Sequence, residues 1–246
     1  MLRGRGTAVL SRYPFPSACA RYRGLVSEAS PRPRLRRLTT PRAAAVAGIL
    51  FAVLFAASLA LVRSSIPDDP LAGTAWVHER SGRVTAAMLL MPFAGIAFLW
   101  FVGVVRDRMG ELEDRFFSTV FFASAVLFLA MVFVSMSIAG AILASSRSVT
   151  DPTTQEAVTK FGRFVMLQIS NVYALRMAGV FIISLATMWL RTGVMPRSMA
   201  VASYLVAFVL LVVPSLSLWF TLVFPAWALV VSLIILIRPA VADDVP

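Results

Sequence analysis

Six apolar runs occupy most of the sequence between residues 43 and 237, and they constrain the fold more than any other feature. An α-helix needs about 20 residues at about 1.5 Å each to cross roughly 30 Å of hydrocarbon. The runs therefore predict an all-α membrane protein built as a bundle of six transmembrane helices. The predicted spans are residues 43–62, 84–105, 116–144, 170–190, 199–213 and 218–237.

The composition agrees with a lipid environment. Hydrophobic residues make up 59% of the chain and charged residues 14%, against about 45–50% and about 25% in soluble domains. The net charge of +11 could indicate nucleic-acid binding, but the cations lie in the N-terminal tail and in loops beside the runs. We expect the lipid bilayer to be the main partner, with another membrane protein or a second copy of the chain as further candidates, and no nucleic acid.

The first 42 residues contain ten arginines, several prolines and a single acid. This composition predicts a disordered, Arg-rich cytoplasmic tail. Two alternatives stay open for it: translation that begins further in, near Val26, and a mitochondrial presequence. The first run, which ends near Ser58-Leu59-Ala60, could also be a cleaved signal peptide, which would leave five spans. Residues 238–246 are expected to form a short cytoplasmic tail.

Basic residues predict the orientation, because cytoplasmic loops carry an excess of Lys and Arg. With the N-terminus inside, sixteen of the 23 basic residues fall on the cytoplasmic side and six fall outside. The excess depends on the N-terminal tail, since six remain on each side without it. We expect a multi-pass protein of the bacterial plasma membrane with both termini in the cytoplasm.

The fourth run contains a permanent cation, Arg176. Fifteen residues separate it from the inner anchor Arg191, about 22 Å along a straight helix. This spacing places Arg176 roughly 8 Å below the outer hydrocarbon edge, a distance that an arginine stem can largely cover. A helical wheel places it on a polar, small-residue stripe with Tyr173, Ser184 and Thr187 as the other candidate site residues.

Two interpretations of Arg176 stay open. In the structural one, its guanidinium hydrogen-bonds helix carbonyls, lipid phosphates or a loop acid, for which the candidates are Asp68, Asp69, Asp151 and Glu156. In the functional one, it binds anions or gates a cavity that opens to the outside, because an intramembrane charge indicates function by default.

The residues before the fourth run predict an amphipathic helix that leads into the fourth span, called the amphipathic lead-in below. Thr153 followed by Glu156 fits a capping box, and apolar residues recur at helical spacing from Val158 onward. We expect residues 153–172 to form a helix on the outer face, either continuous with the span or bent from it.

The residue inventory argues against an enzyme and against a carboxylate-coupled pump. None of the twelve acids lies in a predicted span, nor does the single histidine, His78, so a proton relay has no residues to use. The pair His78-Glu79 lacks the second histidine of a zinc motif, and one cysteine, Cys19, cannot form an internal disulfide. We expect no catalytic residues, no bound metal and no cofactor.

Small residues and helix breakers predict details of packing. Gly193 should end the fourth helix, and Pro92 and Pro225 should kink theirs. The four residues between the last two runs predict a tight hairpin. Small residues recur every four positions in two runs, which predicts close helix approach: Gly48, Ala52, Ala56 and Ala60 in the first, and Ser137, Ala141 and Ser145 in the third.

Two stretches resemble uncharacterised, hypothetical multi-pass integral membrane proteins of actinobacteria. They run from Arg106 to Ala144, with an acidic-basic loop before a long span, and from Arg176 to Val213, which reads RMAGVFIISLATMWLRTGVMPRSMAVASYLVAFVLLVV. The resemblance implies no reaction and no catalytic residue. The predicted function is that of a non-enzymatic, membrane-embedded accessory, scaffold or regulatory protein. The alternative is a transporter or lipid-handling protein with an outward-facing cavity near Arg176.

Overall fold

The computed structural model describes residues 41–65, 80–109, 115–193, 195–213 and 218–237, and over these ranges it contains helices and no strand. The predicted C-terminal tail lies outside the described residues, as does the predicted N-terminal tail except for its last two residues. Cys19, Asp68, Asp69 and His78 lie outside them as well. The all-helical fold class is confirmed for the described part of the chain.

Within these ranges, seven α-helices and two short irregular helices follow in chain order. The α-helices are α1 (Pro41–Ser65), α2 (Ser81–Met109), α3 (Arg115–Ser148), α4 (Pro152–Gln168), α5 (Leu175–Thr192), α6 (Arg197–Val212) and α7 (Val223–Ile237). A π-helical segment, Ile169–Ala174, joins α4 to α5, and a 3₁₀-helix, Leu218–Leu222, leads directly into α7.

Five helices in the described ranges are long and apolar enough to cross a membrane. They are Ala43–Ser65, Ser81–Asp107, Phe116–Ser148, Pro152–Thr192 and Phe220–Ile237. The fifth predicted span corresponds to α6, which is apolar but has 16 residues. At about 1.5 Å per residue it is about 24 Å long, less than the roughly 30 Å of a full hydrocarbon core.

The amphipathic lead-in is continuous with the fourth span, because α4, the π-helical segment and α5 form one helix of 41 residues. The predicted capping box is wrong. Asp151 is the N-cap, and its carboxylate accepts hydrogen bonds from the Thr154 N–H and from the hydroxyls of Thr153 and Thr154. Pro152 follows at the first helical position, where a missing N–H costs nothing. Glu156 pairs instead with Lys160, one turn on, at 2.6 Å.

Phenylalanine rings from five helices fill the centre of the bundle. Neighbouring centroids lie 4.6 to 5.9 Å apart, and such aromatic pairs contribute about 0.5–1.5 kcal/mol beyond their area. Because these rings touch one another across helices, they fix the helix positions jointly. The members of this aromatic core are Phe51 and Phe55 of α1, Phe98 of α2, Phe128 of α3, Phe181 of α5 and Phe224 of α7, all of them buried.

Helix neighbours differ in part from the expected hairpin. The last helix, α7, packs mainly against α1, and α6 packs mainly against α5. Helices α6 and α7 meet at few positions. One of them is the hydrogen bond that Trp227 Nε1 donates to Ser203 Oγ, at 3.0 Å. Pro225 lies in the first turn of α7, three residues after the 3₁₀-helix ends at Leu222, and the kink predicted there stays a prediction.

Glycine explains the closest approach of α1 to its neighbours. A Cβ at Gly48 would overlap the Ser232 Oγ and would lie 2.9 Å from the Phe101 ring. The rest of the small-residue pattern fits less well: Ala52 is buried, but Ala60 in α1 and Ala141 in α3 are exposed. Along α3 the small residues therefore do not mark the face that packs within the chain.

We expect Gly48→Ala to destabilise the fold by about 1–3 kcal/mol, because the added methyl overpacks a tight contact. Gly103 of α2 is the matched control, since a Cβ there meets nothing within 4 Å. Gly103→Ala should leave the thermal unfolding temperature in mild detergent unchanged or slightly higher, because Ala favours helix. Equal unfolding temperatures for the two variants would contradict the packing. The double variant Gly48→Ala/Ser232→Ala should recover part of the loss.

A second prediction concerns pH. Hydrogen bonds from Thr154 and Thr153 lower the pKa of the Asp151 carboxyl below its ordinary value. The ionised cap therefore stabilises the folded state fully above the ordinary pKa of about 4, and this contribution is lost as the pH falls through the lowered pKa. Asp151→Asn keeps a capping side chain that does not titrate there. The difference in unfolding temperature between wild type and Asp151→Asn should be constant above about pH 5 and shrink in more acidic buffer; a difference unchanged down to pH ~3 would refute the assignment.

Candidate functional site

The π-helical segment Ile169–Ala174 is the main irregularity in the described spans. A π turn shifts the backbone bonds from i→i+4 to i→i+5 and often marks a functional position. Side chains bind carbonyls in and beside this segment. Ser135 Oγ of α3 donates to the Met166 carbonyl at 3.2 Å, and Arg176 Nη1 donates to the Val172 carbonyl at 3.1 Å.

Arg176 is half-buried, and its side chain turns back along its own helix toward Val172. Since α5 is unbroken from Leu175 to Thr192, the distance of about 22 Å to Arg191 holds. The hydrogen bond to a helix carbonyl is one that the structural interpretation expected. Two cavities stand out among the described residues, and Arg176 lines neither.

Of the other three candidate residues, Ser184 and Thr187 lie about two and three turns further along α5 than Arg176. Tyr173 is 55% exposed. Ser184 is buried and donates to the Val180 carbonyl at 2.9 Å. Thr187 donates to the Ile183 carbonyl at 2.8 Å and lies 2.6 Å from the Tyr204 hydroxyl of α6. The hydroxyls of Ser184 and Thr187 therefore form hydrogen bonds within the protein, and the hydroxyl of Thr187 also links α5 to α6.

Close packing at Gly179 joins α5 to α6 one turn after Arg176. A Cβ at Gly179 would lie 2.8 Å from Leu211 and 3.2 Å from the Ala207 carbonyl oxygen. Thr187 meets Tyr204 further along the same interface. The two helices are therefore antiparallel neighbours, and α6 extends alongside α5 from the region of Thr187 to that of Gly179.

The sequence interpretation assigned no role to Asn171, a polar residue in the fourth run. It is the only asparagine in the chain, it lies within the π-helical segment, and it is 4% exposed. Neither its Oδ1 nor its Nδ2 has a hydrogen-bond partner among the described residues. Buried polar side chains are usually paired, so an amide with two orphaned atoms is unusual. A lone asparagine in an apolar run was the available sequence signal.

A small cavity borders the same segment. It has a volume of about 20 Å³ and is lined in part by the hydroxyl-bearing residues Ser135, Ser170 and Thr221. The rest of its wall is apolar and includes Ala174 and Leu175. Over the described ranges, no three His, Cys, Asp or Glu residues lie close enough together to hold a metal ion. The polar side chains that line this cavity are neutral hydroxyls.

Comparisons with protein-family models, with curated proteins and with solved structures find no match to this chain. The described fold defines an all-helical protein whose long apolar helices suggest a membrane-embedded protein. Its distinctive site combines the π-helical segment, a buried amide and a half-buried arginine.

We expect the bond between Thr187 and Tyr204 to stabilise the α5–α6 pair. A double-mutant cycle with Thr187→Val and Tyr204→Phe should give a coupling energy of about 0.6 kcal/mol, the average for hydrogen bonds between membrane helices. The measurement is the free energy of unfolding in mild detergent or bicelles. A control cycle that pairs Tyr204→Phe with Ser137→Ala, on the exposed face of α3, should give none. A coupling indistinguishable from the control would contradict the predicted contribution.

Proposed function

We propose that the chain is a multi-span protein of the bacterial plasma membrane that acts as a non-enzymatic accessory or scaffold for another membrane protein. The observation that carries this proposal is the aromatic core. Six buried rings from five helices occupy the centre of the bundle. A centre filled with mutually packed rings favours a rigid body over a conduit, because close-packed interiors resist continuous deformation.

The proposal includes six spans with both termini in the cytoplasm. Support comes from α6, which runs antiparallel to α5 with Tyr204 beside Thr187 and Ala207 beside Gly179. The short helix therefore accompanies α5 through much of its depth. Short hydrophobic spans can be accommodated by local thinning of the bilayer. The predicted excess of basic residues on one side favours the cytoplasmic placement of both ends.

An open apolar groove between α1 and α2 supports the accessory role. It has a volume of about 730 Å³, and its lining includes the small residues Ala43, Ala47 and Ala97. Val46 and Trp100 on its rim are 58% and 69% exposed. Small residues let a second helix approach closely in lipid, where association depends on packing. We assign the groove to a transmembrane helix of the partner protein.

The test is purification from native membranes in a mild detergent, followed by mass spectrometry of intact complexes. We expect the wild-type chain to retain one other membrane protein in a fixed ratio. Val46→Trp should lose that protein, because the larger ring fills the groove. Val201→Trp is the matched control, since Val201 is 55% exposed on α6 and does not line the groove. A wild-type chain that purifies alone as a monodisperse monomer would refute the accessory role.

A second candidate function, lipid handling or transport centred on Arg176, is favoured by its guanidinium. Of five N–H groups, one bonds the Val172 carbonyl within the described residues, which leaves donors suited to a phosphate or carboxylate. In the same preparations, Arg176→Gln should then lose co-purified anionic lipid, whereas Arg197→Gln, at an exposed site on α6, should not. Selective lipid loss without any protein partner would replace the first proposal with this one.

A further inference from the structure

Two arginines converge on one backbone carbonyl where α1 ends and α2 begins. Arg80 Nη1 donates to the Ser64 carbonyl oxygen at 3.1 Å, and Arg83 Nη1 donates to the same oxygen at 3.5 Å. Because both donors reach one oxygen, the two nitrogens lie less than about 7 Å apart, a distance at which like charges repel each other. Arg80 and Arg83, called the arginine pair below, therefore concentrate positive charge at the end of α1.

Capping of α1 does not require two cations. The last carbonyls of a helix lack partners within it, and neutral donors satisfy one of them here. The Leu61 carbonyl accepts hydrogen bonds from the Ser64 hydroxyl at 3.0 Å and from the Ser65 hydroxyl at 2.7 Å. One N–H donor would likewise satisfy the Ser64 carbonyl. The second guanidinium group at that carbonyl adds a charge that capping leaves unexplained.

Carboxylates in the described ranges do not neutralise the arginine pair. Those ranges contain three acids. Asp107 lies 24 residues after Arg83 on α2, about 36 Å along the helix. Glu156 pairs with Lys160 at 2.6 Å, and Asp151 caps α4. All three acids are thus placed or engaged elsewhere.

The arginine pair lies where two spans meet the polar region of the bilayer. The first predicted span ends at Val62 and the second begins at Val84, and both valines are buried. Arg80 and Arg83 come directly before the second span and are exposed. Lipid phosphates occupy the layer just outside the hydrocarbon core, and an arginine stem can extend along apolar surface while its charged group stays in that layer.

Geometry and charge together select the ligand. A guanidinium group carries five N–H donors in a planar fork, and each member of the pair gives one of them to Ser64. The other donors match phosphate oxygens, which a guanidinium binds through two parallel hydrogen bonds. An anionic headgroup suits the pair better than a zwitterionic one, because a zwitterionic headgroup brings its own ammonium group close to two cations.

We propose that Arg80 and Arg83 bind the phosphate of one anionic phospholipid at the end of α1. The Ser64 carbonyl orients both side chains, and the phosphate offsets the repulsion between their charges. The site does not depend on the accessory function. The groove assigned to the partner helix ends on α1 at Leu54, nearly three turns before Ser64.

The test is native mass spectrometry of the full-length chain in mild detergent, titrated with phosphatidylglycerol and with phosphatidylethanolamine. We expect the wild type to bind one phosphatidylglycerol more tightly than any phosphatidylethanolamine. Arg80→Gln/Arg83→Gln should weaken that first binding step about tenfold or more, because both guanidinium forks are lost. Equal affinities of the wild type for the two lipids would overturn the proposal.

The matched control is Arg147→Gln/Arg197→Gln. It removes the same charge from two exposed arginines on separate helices, α3 and α6. We expect the first phosphatidylglycerol to bind this variant within about twofold of the wild type, because neither arginine is held beside another by a shared carbonyl. An equal loss of affinity in the two double variants would reduce the effect to net charge and overturn the proposal.

Two competing explanations predict a different result for Arg80→Gln/Arg83→Gln. The sequence between Ser65 and Arg80 contains the acids Asp68, Asp69 and Glu79. If these acids neutralise the arginine pair, the variant binds phosphatidylglycerol as tightly as the wild type does. A pure capping role predicts the same unchanged affinity together with a lower unfolding temperature in lipid-free detergent. Either result would overturn the proposal.

Two further arms settle the source of the phosphate and guard against misfolding. An excess of inorganic phosphate should leave the bound lipid in place; a phosphate adduct that displaces the lipid would overturn the lipid in favour of free phosphate. If the glutamine variant does not fold, Arg80→Lys/Arg83→Lys decides. It keeps both charges but loses both planar forks, so we expect the first phosphatidylglycerol to bind several-fold more weakly. Wild-type affinity in the lysine variant would overturn the proposal.

Discussion

Every polar group of a chain in hydrocarbon needs a partner within the protein, and this requirement organises the described structure. Hydroxyls in the spans bond carbonyls of their own helices, as Ser184 does with Val180 and Ser232 with Ala228. Others reach a neighbouring helix, as Ser58 does with the Ala87 carbonyl at 2.8 Å. Polar residues in these helices are therefore weak indicators of a functional site, because most already have structural partners.

The hydrophobic effect cannot hold such helices together in lipid, because lipid is as apolar as their side chains. Close packing between the helices has to do so instead. Ring contacts and close approaches provide it here. Phe98 touches rings of α1, α3, α5 and α7, and Gly48 brings α1 against α7 and α2. A bundle held by one shared cluster responds as a unit, which suits a protein that presents a fixed surface to a partner.

The sequence predicts well where the helices lie along the chain, but it does not predict which face of each helix is buried. Apolar runs place the spans because length and hydropathy decide insertion, and Gly193 ends α5 with a φ of 66°, as the C-terminal signal indicates. Within a uniformly apolar run, however, no periodicity separates core from lipid. Phe93 is 61% exposed and Phe98 is fully buried on the same helix. Small residues mislead for the same reason, since the alanine and serine stripe of α3 faces away from the other described helices over much of its length.

The same holds for the candidate site: the sequence shows the chemical character of its residues, but only the backbone geometry shows how they are arranged. Charge directs attention to Arg176, yet a long flexible side chain can return to its own helix and reach the Val172 carbonyl. Asn171 is short, so it cannot extend to a distant partner or to the interface. The buried amide therefore places a stricter demand on its surroundings than the arginine does. A π turn has no sequence signature, so only the folded chain shows that this amide lies in a π-helical segment that contacts the 3₁₀-helix and borders a small cavity.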